Sequence, residues 1–149
     1  MAKKLVFLFL VIGCFCAYLF FRSKSFTPGL LNVSDGEVIS WQLDGKSFKV
    51  KVVTNQASIE KGLGGIKEFV EADGMLFVFP GKTKPIFWMK GMQFAIDLYW
   101  IRDGQIIGVE KNILPPESET TDLVKYYSPG EVDMVLEIPV SKNLKFYSE

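Results

Sequence analysis

Residues 74–101, GMLFVFPGKTKPIFWMKGMQFAIDLYWI, hold the densest apolar and aromatic part of the chain outside its N-terminus. They read as three consecutive strands. Met75–Phe79 is apolar at every position, as in a central strand covered on both faces. Pro80-Gly81 ends it, and a loop leads into Ile86-Phe87-Trp88-Met89. After Gly91 a third strand runs from Phe94 to Ile101. Within these strands only Lys90 and Asp97 carry charge, so any polar chemistry in the aromatic block centres on them.

The flanking sequence supplies partners. Upstream, Ile39, Trp41 and Leu43 alternate with polar residues, Asp44-Gly45 makes a two-residue turn, and Phe48, Val50 and Val52 alternate again. Pairing across that turn sets Trp41 opposite Phe48 and Ile39 opposite Val50 in a half-buried hairpin. Asn55 is placed to N-cap a short helix from Gln56 to about Gly62, where Gly62, Gly64 and Gly65 break it. These glycines lack the Gly-Lys-Ser/Thr ending of a phosphate loop. Ile66–Glu71 is read as a further helical turn.

Downstream, Asp103-Gly104 turns the chain back along Ile106–Lys111. A simple hairpin there sets Trp100 opposite Ile107 and Leu98 opposite Val109. It also faces Asp97 with Glu110, an unfavourable like-charge pair unless a cation or a bulge intervenes. Ile113–Asp122 is a Pro- and Glu-rich candidate binding loop whose acids, Glu117, Glu119 and Asp122, read as a solvated run. In the last strand Met134, Leu136 and Ile138 alternate with Asp133 and Glu137. About seven strands and one or two short helices predict a mainly β domain, a compact antiparallel sandwich or barrel.

The N-terminus is a separate unit. Leu5–Phe21 is an uninterrupted apolar run between Lys3-Lys4 and Arg22/Lys24. At about 1.5 Å per residue it reaches roughly 25 Å, enough to span a bilayer with snorkelling flanks. It is read as a single uncleaved membrane helix (residues 1–22) that makes the lipid bilayer a partner. A cleaved signal and a lipidated Cys14 are the alternatives. Residues 23–35 read as a linker and 36–149 as the domain, with the short N-terminal tail favouring a domain outside the cytoplasm.

Composition narrows the chemistry. The chain has 17 basic and 17 acidic residues, but residues 1–25 contain four bases and no acid, which leaves the remainder at −4. A mildly acidic domain without a basic stripe is a poor partner for nucleic acid. There is no histidine, which excludes His triads and imidazole catalysis, and both cysteines lie in the apolar run. No metal or other cofactor is expected.

In succession, Gly62-Leu63, Gly74–Phe79, Phe87–Lys90, Asp97, Pro115 and Val135-Leu136-Glu137 resemble the DUF192 family, also catalogued as UPF0127, over about residues 48–139. The resemblance implies a mainly β fold that often follows a signal or anchor segment, and no established activity. The chain departs from the family in reading Gly64 for Met, Gly91-Met92 for Asn-Thr and Ala95 for Pro.

Two functions are carried forward. One is a membrane-tethered, extracytoplasmic, non-enzymatic binding or accessory domain, in which Trp88, Lys90, Asp97, Tyr126 and Tyr127 line a pocket for a glycan, peptide or protein. The other is an enzyme acting on cell-envelope polymer, with Lys90 as base and Asp97 as its partner. Against both stands the reading of Lys90 and Asp97 as a structural ion pair. Trp41, Trp100 and the phenylalanines are read as core.

Overall fold

A computed structural model describes residues 30, 32–117, 123–142 and 144. The expected membrane segment, both cysteines, Glu119 and Asp122 lie outside the described residues. Among those described, no helix is long and apolar enough to cross a membrane.

The described residues form eight strands in two sheets. The first hairpin pairs β1 (Val38–Leu43) with β2 (Lys46–Val53) in the register read from the sequence, Trp41 opposite Phe48 and Ile39 opposite Val50. Asp44 and Gly45 both take positive φ, 51° and 75°, as a two-residue turn of this hand requires. Trp41 and Phe48 meet edge to face at 5.7 Å.

The chain then leaves the sheet. Asn55 caps α1 (Gln56–Lys61), its side chain accepting from the Ser58 amide, and Gly62 ends the helix at φ 49°. Residues 66–71 form no helix. They carry Phe69 into the core instead, and Asp73 binds both main-chain groups of Lys49. This long return sets β3 (Gly74–Thr83) parallel to β2. The sheet is therefore mixed, where an antiparallel one was expected, because a helical crossover and not a hairpin joins β2 to β3.

β3 runs past Pro80-Gly81 to Thr83 through a register shift after Val78. It pairs with β8 (Val132–Pro139), which pairs on its other side with β5 (Ile96–Arg102), and β6 (Gln105–Ile113) closes the order β1-β2-β3-β8-β5-β6. β4 (Ile86–Trp88) joins β7 (Lys125–Tyr127) in a second, two-stranded sheet. A single 3₁₀ turn, Val140–Lys142, follows β8.

Alternation along the strands sorts the core into two clusters. One gathers Trp41, Phe48, Val50, Val52, Leu76, Tyr99, Leu136 and Ile138, and also takes Leu30 from the stretch read as linker. The other gathers Leu63, Phe69, Met75, Phe77, Met89, Met92, Leu98, Trp100 and Val135, with Ile59 of α1 and Phe87 and Tyr126 of the small sheet packed against it. That second face, under α1 and the β4–β7 ribbon, carries the candidate site.

Candidate functional site

β8 is sandwiched between β3 and β5, and apart from Asp133 and Glu137 it is apolar on both faces. Glu137 lies in register with Met75 on one side and Leu98 on the other, facing the second cluster. The sequence sets it, with Asp133, in alternation with Met134, Leu136 and Ile138. It is 5% exposed, the sole buried charged residue among those described, and its Oε2 has no hydrogen-bond partner. Burial pushes its carboxyl up to about 8 from the usual 4.5. Gly74 permits the approach of β3, since a Cβ there would lie 2.7 Å from the Glu137 carbonyl oxygen.

Glu137 also lines a cleft of about 800 Å³ between α1, the outer half of β3 and β4. Phe77, Phe79, Phe87 and Ile59 line its walls, Glu137 its interior, and Trp88, Lys61 and Lys90 its mouth. Phe87 is fixed edge to face against Phe77 at 5.0 Å and against Trp100 at 5.6 Å. Lys90 sits on a tight turn at Met89–Met92 that locks onto the glycine loop after α1, where the Gly65 amide donates to the Gly91 carbonyl at 2.8 Å. The glycines that end the helix thus also hold the cleft's mouth. A smaller hollow of about 400 Å³ continues past Lys90 to Pro116 and Leu123, at either end of the expected binding loop.

The five residues singled out from the sequence divide into groups. Trp88, 45% exposed, and Lys90 line the cleft. Tyr126 and Tyr127 stand opposite Phe87 and Ile86 in the small sheet, a strand pairing the sequence reading did not anticipate. Tyr127 faces solvent at 60% exposure, whereas Tyr126 packs inward, its hydroxyl pKa raised by burial and then by Glu110.

Asp97 lies elsewhere. β6 carries an extra residue at each of two register shifts, so Trp100 faces Gly108 and Leu98 faces Glu110. Asp97 thereby escapes Glu110 and accepts from the Asn112 amide at 2.8 Å, where the chain takes φ 52°. A bulge resolves the like-charge conflict, and Asp97 caps it. No ion pair joins Asp97 to Lys90 among the described residues, whose pairs are Lys51–Glu71 and Lys82–Asp103.

Residues 39–143 match the family model DUF192, described as an uncharacterised ACR. The chain belongs to the DUF192 family. Two crystal structures resemble this DUF192 domain. One is a candidate transcription regulator from Sinorhizobium meliloti 1021, 24% identical, covering 70% of this chain and 80% of its own, with a TM-score of 0.56. The other is a protein of unknown function from Novosphingobium aromaticivorans DSM 12444, 21% identical, covering 76% and 84%, with a TM-score of 0.60. At these identities the likeness concerns the fold. No curated protein matches the chain.

Proposed function

We propose that this DUF192 domain is a non-enzymatic binding or accessory module, held at a membrane by residues 5–21 with the domain on the extracytoplasmic side, and that its ligand enters the cleft between α1 and β4. The observation that carries the reading is Glu137, which lines the aromatic cleft and whose buried carboxyl leaves one oxygen without a partner. Buried polar groups are nearly always satisfied, and of the three unpartnered ones among the described residues, with Trp41 Nε1 and Trp100 Nε1, only Glu137 belongs to a residue lining the cleft. Trp88 and the phenylalanine walls offer the broad apolar contact that a peptide or glycan segment needs. The alternative, polymer cleavage by a Lys90–Asp97 pair, has less support, because Asp97 is engaged at the β6 bulge and does not line the cleft.

The test is equilibrium binding of peptide and glycan fragments to the full-length chain in lipid nanodiscs. Binding is expected to weaken roughly tenfold or more in Trp88→Ala, the loss of one aromatic contact surface, with the fold unchanged. No binding by either class, or binding indifferent to Trp88→Ala, contradicts the proposal.

A further inference from the structure

Resting on the reading of this cleft as a ligand site, we infer that it recognises a primary ammonium group carried on an apolar stem, with Glu137 as its carboxylate acceptor and the rings of Phe77 and Phe87 around it. The partnerless carboxyl can donate or accept while protonated, but once ionised it only accepts, and the ligand group that best compensates the ionised form is a cationic donor. A neutral hydroxyl or amide would supply one hydrogen bond, while an ammonium adds charge-assisted attraction in a water-poor setting. The walls favour the same choice. Phe77 and Phe87, edge to face at 89°, both line the cleft with Glu137, and an aromatic lining beside an acid favours a cation that reaches a ring face. The stem must be apolar because Ile59, Phe79 and Trp88 line the way in.

The remaining charged side chains of the cleft are Glu60 and Lys61 of α1 and Lys90. Glu60 accepts from Gln56 Nε2 at 2.7 Å, and all three are exposed, so their fields are screened by water. β3 and β5 set only Met75 and Leu98 beside Glu137 in register. The two lysines at the mouth suit a ligand whose outer end is neutral or anionic. A lysine side chain and a peptide N-terminus both provide the ammonium.

Binding such a cation ionises Glu137, so one proton leaves the protein per ligand bound. Below the free carboxyl's midpoint of about 8, affinity falls roughly tenfold for each pH unit lost. A neutral ligand accepting from the protonated acid gives the opposite trend.

The experiment uses the full-length chain labelled with 5-fluorotryptophan in nanodiscs, following the Trp88 fluorine signal, assigned with Trp88→Phe. Three probes are titrated: Nα-acetyl-lysine methylamide, leucyl-leucinamide and its N-acetylated form. Saturable binding of one or both ammonium probes is expected, with at least tenfold weaker binding of the acetylated dipeptide and, for whichever ammonium probe binds, tenfold weaker binding at pH 6 than at pH 7. Whichever ammonium probe binds identifies the source. Glu137→Gln is expected to abolish the preference for the ammonium. If that variant does not fold, the pH series on the unaltered chain decides alone. Equal binding of the acetylated dipeptide, or pH-independent binding of the ammonium probe that binds, overturns the ammonium assignment and leaves the cleft as a ligand site. If no probe perturbs Trp88, the assignment falls, and the fragment panel decides the fate of the cleft separately.

Discussion

Gly74 stands so close to Glu137 that a Cβ on the former would lie 2.7 Å from the main-chain oxygen of the latter. Real Cβ atoms do not approach carbonyl oxygens that closely, so Gly74→Ala forces β3 away from β8 at the point where the buried carboxyl is held. The expected cost is about 2–3 kcal/mol in urea unfolding, the overpacking range, together with an altered Glu137 titration. A substitution that changes neither shows that the two strands can separate freely here.

Glu137 itself is expected to destabilise the domain at alkaline pH. Its folded-state midpoint of about 8 lies above the usual 4.5, so the folded form binds a proton more tightly than the unfolded chain. Below about 4.5 the group is protonated in both states and contributes no pH dependence. Between there and about 8 stability falls with rising pH, by at most about 1.4 kcal/mol per unit, and the deficit is constant above. Glu137→Gln is expected to flatten this slope in urea titrations from pH 5 to 9. Glu137→Met is expected to raise stability by about 1–3 kcal/mol at pH 8.5, since it removes an unpartnered buried carboxyl. A variant no more stable than the parent there means the carboxyl is satisfied by another group.

Asp97 is expected to act on stability. Its carboxylate holds the Asn112 amide at a bulge with φ 52°, and it is partly buried. Asp97→Ala is expected to cost about 1–2 kcal/mol by thermal or urea unfolding. Lys90→Met, at an exposed position without an ion pair to a described residue, is expected to change stability by no more than about 0.5 kcal/mol. Coupled losses in a double-mutant cycle of the two would restore the ion-pair reading.

Phe87 and Trp88 are neighbours with opposite roles. Phe87 is wedged between Phe77 and Trp100, and Phe87→Ala is expected to cost about 3 kcal/mol or more by unfolding. Trp88→Ala is expected to fall within about 0.5 kcal/mol of the parent while weakening ligand binding. Equal destabilisation by both would place Trp88 in the core.

Where the sequence can be read locally, it was informative. The β1–β2 register follows from strict alternation around Asp44-Gly45, and α1 from Asn55 and Gly62, because each signal lies within a few residues of its effect. The mixed sheet and the β4–β7 ribbon depend on pairings distant in sequence, which no local pattern encodes. The β5–β6 bulges shift every partner from Trp100 back to Ile96, and the clash they relieve, Asp97 against Glu110, is the one trace of them visible in the sequence. Trp88 and Lys90 were found because charge and aromatic surface coincide there. Glu137 was missed because alternation in β8 was read as a one-faced strand. Val135, apolar in the same parity as Asp133 and Glu137, is the sign that this face of β8 is not simply a solvent face.

The most direct measurement is a ¹³C NMR titration of the Glu137 carboxyl in the full-length protein, free and saturated with Nα-acetyl-lysine methylamide, with Glu137→Gln assigning the resonance. A midpoint near 8 is expected in the free protein, with a clear fall on saturation with the lysine probe or with leucyl-leucinamide. A midpoint near the ordinary 4.5, or one that neither ammonium probe moves, would contradict the account.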